Sequence, residues 1–173
     1  MTAHVFVSYS RSDAALVTPI VRLLRTAIAG IPSLEGKYWE VVFQDTDGIP
    51  PGALWKEHID DAIADAQRMF VFWCTHSSRS GQVRREYELA LRLEKGVVPV
   101  LLDDTPLAEP LSPINGVDLR ELRTHGPTIR FAFPPPGHRD PAAVVVHEFA
   151  QALGMDPKPM MDNLFPSAYG PPA

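Results

Sequence analysis

The chain has 173 residues, 45% of them apolar, with a formal net charge of −5 and a single cysteine. This much apolar content builds one substantial core, the acidic balance gives no global attraction for nucleic acid, and a lone cysteine excludes an internal disulfide and fits a reducing compartment. No apolar stretch approaches the roughly 20 residues of a membrane span, and no basic region precedes a long apolar run, so a soluble cytoplasmic domain without membrane contact is expected.

In chain order, an apolar strand is predicted over residues 5–9 (VFVSY). A helix follows from Ser12 or Asp13 to Ala29, with Leu16, Ile20, Leu23, Leu24 and Ala27 on its core face and Gly30 as its stop. Pro19 implies a kink or a restart capped by Thr18. Residues 39–44 (WEVVFQ) form the second strand, and the glycines and prolines of 45–52 (DTDGIPPG) exclude regular structure. A helix over 54–66 turns Leu54, Ile59, Ala62 and Ile63 inward.

The run RMFVFWC over 68–74 is almost unbroken in apolar character, as in a parallel strand covered on both faces, and Cys74 within it reads as a buried structural thiol. Residues 75–81 break the run. The next helix carries Glu86 on its opening turns, with Val83, Tyr87, Ala90, Leu91 and Leu93 inward and Arg84, Arg85, Glu88, Arg92 and Glu94 mostly outward; Lys95 and Gly96 end it. A strand over 97–102 follows, in which Pro99 implies a local irregularity. Residues 103–137 read as loops, with a short helix around 118–123 and an edge strand at 131–133. Asp140 and Pro141 cap and open a last helix that reaches Leu153 and stops at Gly154. From Met155 the chain is proline-dense and aperiodic, which divides it into a domain at 1–154 and a flexible tail or linker at 155–173. The six histidines lie far apart without zinc-site spacing, so no metal is expected.

Alternating strands and helices imply a parallel sheet with helices on both faces and the carboxyl ends of its strands along one edge, where open α/β sheets bind ligands. Three loops converge there, at 8–13, 45–52 and 75–81, and the third leads to Glu86. Glu86 is therefore the leading candidate for a catalytic carboxylate. The competing reading is an acidic residue favoured at a helix start, worth a few tenths to about 1 kcal/mol.

Three segments together carry a family resemblance: HVFVSYSRSD at 4–13, VFQDTDGIPPG at 42–52 and VFWCTHSSRSGQVRRE at 71–86. They resemble, in order and spacing, the three signature boxes of the Toll/interleukin receptor (TIR) domain family, and the resemblance extends over residues 2–153, including VPV at 98–100 and VDLR at 117–120. It implies a flavodoxin-like, doubly wound parallel α/β sheet with helices on both faces. Residues 45–52 would be the BB loop, through which TIR domains self-associate.

Some family members only bind other TIR domains as signalling adaptors. Many bacterial, plant and axonal members cleave NAD⁺ with a glutamate in the third box, a residue animal receptor-type domains usually lack. Glu86 matches that glutamate, six residues after Ser80 and four before Ala90. Enzymatic relatives often carry tryptophan where this chain has Gln82, which bears on how that wall of the pocket holds nicotinamide or ribose.

The resemblance implies a bacterial-type NAD⁺ glycohydrolase, activated by self-assembly in immune, antiphage or stress signalling, with NAD⁺ as substrate and no cofactor. Its products would be nicotinamide and ADP-ribose or a cyclic isomer. Ser8, Tyr9, Ser10 and Arg11 would meet the pyrophosphate or ribose, or else form a polar loop with Ser12 or Asp13 capping the helix. Asp45 would line the pocket or form a turn, Gly52 would close the BB loop, and Trp55 would stack on a base or belong to the core. Ser80 and Gln82 complete the expected substrate-binding set, while Arg79, Arg84 and Arg85 read as solvated helix surface. A sensor or oligomerisation module would follow the tail. The alternatives are a non-catalytic scaffold acting through TIR–TIR contacts and a nucleoside ribosyltransferase on a similar sheet.

Overall fold

A computed structural model describes residues 1–43, 54–123 and 140–165, apart from the side chain of Phe43. Five strands form one parallel sheet: β1 (Thr2–Ser8), β2 (Tyr38–Phe43), β3 (Arg68–Trp73), β4 (Gly96–Leu101) and β5 (Val117–Asp118). Their order, β2-β1-β3-β4-β5, is the flavodoxin-like one. The strand order reverses between β1 and β3, so the loops leaving these two parallel strands diverge to opposite faces and leave a crevice at their carboxyl ends.

The unbroken apolar runs are explained by a period of two shared between two cores. Val5 and Val7 of β1 and Phe70 and Phe72 of β3 face one layer, while Phe6, Met69, Val71 and Trp73 face the other. The first layer holds α1 (Ala14–Ile28), α6 (Pro141–Leu153) and α7 (Pro157–Leu164). There the Phe149 ring stands edge-on to Phe70 with centroids 4.8 Å apart. The second layer holds α2 (Trp55–Asp65) and α4 (Gly81–Arg92), with Ile59, Ile63, Val83, Tyr87 and Ala90 buried. An ion pair between Arg85 and Asp60 links these two helices across their outer surface.

Several local expectations are corrected. α1 passes through Pro19 as one helix without a restart at Thr18, and Asp13 makes no side-chain cap bond to it. A single-turn helix, α3 (Thr75–Ser78), occupies part of the expected break. The β3–β4 register runs through Pro99 without interruption; β4 acquires its other neighbour, β5, only from Val100 onward. Val117 and Asp118, expected in or beside a helix, form β5, and α5 (Arg120–Arg123) is the short helix after it. Leu54 and Leu93, assigned inward, are 66% and 41% exposed.

The end of α4 also differs. The residue in left-handed geometry is Glu94, with φ of 56°, not Gly96, which already belongs to β4. Lys95 N–H donates to the Ala90 carbonyl at 2.9 Å and Glu94 N–H to that of Leu91 at 3.0 Å, the paired bonds of a Schellman ending. By contrast α6 is capped as expected: Asp140 accepts from Ala142 N–H, and Gly154 takes φ of 61°.

The segment expected to be a flexible tail continues the fold. Asp156 caps α7, Met160 is fully buried, and Asn163 Nδ2 donates to the carbonyls of Ala27 and Ala29 at 3.0 and 2.9 Å. Those carbonyls close α1 and have no partner within their own helix, so α7 completes the C-terminus of α1. The expected edge strand at 131–133 lies outside the described residues.

Candidate functional site

Ser8 is the last residue of β1 and Glu86 lies in the second turn of α4, 78 positions later. Ser80 starts α4 by accepting a hydrogen bond from Val83 N–H at 3.3 Å. From that start the helical period puts Val83, Glu86, Tyr87 and Ala90 on the buried face, so a carboxylate occupies a position where an apolar side chain would ordinarily pack. Glu86 is fully buried.

A buried carboxyl group of this kind needs hydrogen-bond partners. The Ser8 hydroxyl donates to Glu86 Oε2 at 2.6 Å, and the Gln82 amide, one helical turn earlier, donates to Oε1 at 3.0 Å. Ser8 is itself fully buried, whereas Gln82 is half-buried and lies toward solvent. Each oxygen thus accepts from a neutral donor at the carboxyl end of β1, beside the crevice between β1 and β3.

The remaining candidates divide. Ser10 Oγ accepts from Ser12 N–H at 3.4 Å and caps the 3-10 turn Arg11–Asp13, while half-buried Tyr9 packs against the α1 layer. The Arg11 guanidinium lies 5.6 Å from the centroid of the Trp55 ring, and Trp55 in turn packs partly against the α2–α4 core. This stacked pair joins the loop after β1 to the start of α2. Arg84 pairs with Glu88 on the surface of α4, Arg85 with Asp60, and Arg79 is exposed, which agrees with a solvated helix face. Asp45 and Gly52 lie outside the described residues.

A second polar cluster, not anticipated from the sequence, lies on the same edge. Asp13 is 4% exposed, and its carboxylate accepts the Cys74 thiol at 2.8 Å on Oδ2 and His76 Nδ1–H at 2.8 Å on Oδ1. A carboxylate only accepts, so the imidazole proton on this bond resides on Nδ1. Burial, followed by the hydrogen bond to Asp13, pushes the Cys74 thiol above the ordinary thiol range and keeps it protonated. Ser77, also buried, accepts from Cys74 N–H at 2.7 Å and fixes the turn that presents His76. The two segments of this cluster are more than 60 positions apart, which is why spacing along the chain concealed it.

A cleft of about 790 Å³ lies farther along the edge, at the ends of β4 and β5. It is lined by charged groups that pair with one another, Asp103 with Arg123 and Asp118 with Arg120. Burial raises the Asp103 carboxyl, but hydrogen bonds from Thr105 and Thr75 together with Arg123 outweigh it and hold Asp103 below the usual carboxylate range. Neither Glu86 nor Ser8 lines this cleft.

Comparison with known proteins agrees with this architecture. The TIR domain family profile matches residues 5–129. No curated protein sequence matches the chain. Among solved structures, it is similar to the TIR domain of the Toll-related receptor TRR-2 from Hydra magnipapillata, at 18% identity and a TM-score of 0.50, over 69% of this chain and 88% of that one. It is also similar to the TIR domains of the activated Roq1 resistosome, which directly recognises the pathogen effector XopQ, at 16% identity and a TM-score of 0.53, over 72% of this chain and 92% of that one. At such identities the likeness speaks to fold; the profile match over most of the chain establishes that this protein belongs to the TIR domain family.

Proposed function

We propose that this TIR domain is an NAD⁺ glycohydrolase with Glu86 as its catalytic carboxylate. The observation that carries the reading is a fully buried glutamate on the inward face of α4, held by Ser8 and Gln82 at the switch point of the sheet. A carboxylate that served only the helix dipole would sit on the outer surface of the first turn, where it would need no buried hydroxyl.

A single carboxylate suffices for this reaction. Most glycosidases need a second to protonate an alkoxide leaving group. In NAD⁺ the bond between ribose C1′ and the pyridinium nitrogen breaks with its electron pair going to that nitrogen, so nicotinamide departs neutral without a general acid. The positive charge left on the ribosyl centre is stabilised by Glu86, which also accepts hydrogen bonds from the ribose hydroxyls. Attack by water, with loss of its proton, yields ADP-ribose; attack by a nucleophile within the same molecule yields a cyclic isomer. Ser8 and Gln82 are neutral donors, so ribose hydroxyls can replace them at Glu86 with little net change in hydrogen-bond energy. Arg11 and Trp55 offer a cation and an aromatic face for the phosphates and a base.

The burial of Glu86 also supports activation by assembly. Substrate reaches the carboxylate only once Gln82 or a neighbouring segment moves, and contact with a second TIR domain through residues 45–52 would supply that change. A free thiol and the absence, among the described residues, of any helix long and apolar enough to cross a membrane suit a cytoplasmic setting. Immune, antiphage or stress signalling is the corresponding biological role.

The test is NAD⁺ consumption by the purified chain at high concentration or with a crowding agent, with products separated by chromatography and Glu86→Gln run alongside. Nicotinamide release that vanishes in a folded Glu86→Gln protein is the expected result. Absence of release in an assembled wild-type sample would instead favour a scaffold in which Glu86 only ties β1 to α4.

A further inference from the structure

We propose that Asp13, Cys74 and His76 form a binding site for a zinc-class transition-metal ion that ties the loop after β1 to the turn after β3. One ligand atom from each of the three residues lies within 4.8 Å of the others. Tetrahedral zinc requires ligand atoms about 3.3–3.8 Å apart, given metal–ligand bonds of roughly 2.0–2.3 Å. The two 2.8 Å contacts are to different Asp13 oxygens, so with one oxygen as ligand one contact opens by about 1 Å or less and a separation as wide as 4.8 Å closes by about 1–1.5 Å, changes within reach of side-chain torsion.

The donor set selects the metal. A thiolate is a soft ligand and an imidazole a borderline one; together with one carboxylate they favour Zn²⁺, Co²⁺ or a similar ion over Mg²⁺ or Ca²⁺, which take oxygen ligands. Three protein ligands leave a fourth position, and His76, whose side chain is 49% exposed, marks the side from which the ion enters and where water would complete the shell.

Asp13 adds an independent indication. It stands at the start of α1, where an aspartate ordinarily accepts a bond from a helix amide, yet it makes none and turns both oxygens to Cys74 and His76 instead.

Binding balances simply. The thiol proton leaves to solvent, and the imidazole proton on Nδ1 is exchanged through solvent for one on Nε2, so one proton is released per ion. Thiolate and carboxylate then neutralise the divalent charge. The bound ion would fix the two segments that lead to Ser8 and Ser80. The site stands whether or not Glu86 is catalytic.

The test is titration of the full chain with Co²⁺, followed by absorption spectroscopy. The chain has one cysteine, so a cobalt–thiolate charge-transfer band reports Cys74 alone. The expected result is one ion per chain, the near-ultraviolet band together with visible bands of tetrahedral intensity, displacement by Zn²⁺ and a higher melting temperature with Zn²⁺. Cys74→Ser should remove the band, and His76→Ala and Asp13→Asn should each weaken binding by about tenfold or more. His147→Ala, an exposed histidine on α6, should bind like the wild type. Circular dichroism confirms that each variant is folded. A folded wild-type chain with no thiolate band, or a band of unchanged affinity in both His76→Ala and Asp13→Asn, would overturn the proposal.

Discussion

Two carboxylates, Glu86 and Asp13, are buried along the same sheet edge, each near the start of a helix, and they differ in what holds them. Glu86 accepts from a serine hydroxyl and a glutamine amide, which do not titrate in the physiological range. Asp13 accepts from a thiol and an imidazole, whose protons a metal can displace. Burial imposes the same requirement on both, that every buried oxygen find a hydrogen-bond partner, and it does not set their function. Partner chemistry does. Ser8 and Gln82 are donors that ribose hydroxyls can replace at Glu86, whereas titratable donors make Asp13 one member of a ligand set.

The sharpest way to break this contrast is a crossed pair of substitutions. Glu86→Gln should reduce nicotinamide release by about 10²- to 10⁴-fold, the usual contribution of a positioned catalytic group. Its unfolding free energy should change by no more than about 1 kcal/mol, because the amide fills the same space and can still bond Ser8. Asp13→Ala should do the reverse. It leaves the buried Cys74 thiol and its surroundings without an acceptor and should cost about 1–3 kcal/mol in urea denaturation, with a much smaller effect on turnover. Equal loss of turnover in both variants would erase the distinction between the two carboxylates.

A smaller effect isolates one hydrogen bond of the pair. Gln82→Ala removes the donor to Oε1 from the solvent side while Ser8 keeps Oε2. Turnover should shift by several-fold to about tenfold, equivalent to roughly 1 kcal/mol, with folding nearly unchanged. Steady-state nicotinamide release on the assembled protein reads it. A shift confined to KM would mean that Gln82 contacts the substrate and does not orient Glu86.

Titration distinguishes the clusters next. The Cys74 thiol is raised first by burial and then by the bond to Asp13, so the folded state binds this proton more tightly than the unfolded chain. The associated stability is fully present below the ordinary thiol pKa of about 8.5 and is lost as pH rises from there through the raised folded value. Unfolding free energy of the metal-free protein should therefore decline on the alkaline side, and Cys74→Ala should flatten that decline. Iodoacetamide at pH 8 should label the native thiol only at the rate at which the structure opens.

Much of the frame was legible in the sequence because the physics that sets it is local. The run from Arg68 to Trp73 had to be covered on both faces, Asp140-Pro141 had to open a helix, and Gly154 had to end it. What escaped depends on distant partners or on reading a residue type without its position. Proline density after Met155 suggested an unstructured tail, yet Pro157 and Pro159 stand in the first turn of α7, where an amide proton has no helical partner to lose. β5 has only two residues, too few to show a period. Glu86 could be singled out from its place on α4, but its tie to Ser8 spans 78 positions, and the turn of Asp13 away from its own helix toward Cys74 and His76 had no local signature.

The smallest expected effect supplies the control that the comparison needs, because it changes the stability of the Glu86 helix without touching either carboxylate. Glu94 closes α4 in left-handed geometry, which costs a residue bearing a Cβ about 1 kcal/mol relative to glycine. Its side chain is exposed, and the Schellman bonds from Glu94 and Lys95 use only backbone, so Glu94→Gly keeps both. Glycine also widens the unfolded ensemble, which offsets part of the gain. The net should be a stabilisation of a few tenths to about 1 kcal/mol, seen as a small rise in urea midpoint with unchanged slope. Nicotinamide release and Co²⁺ affinity should both remain at wild-type values. If either moved with the helix, stability of α4 would be coupled to that site, and the crossed substitutions would have to be compared at matched stability before partner chemistry could be credited with the difference.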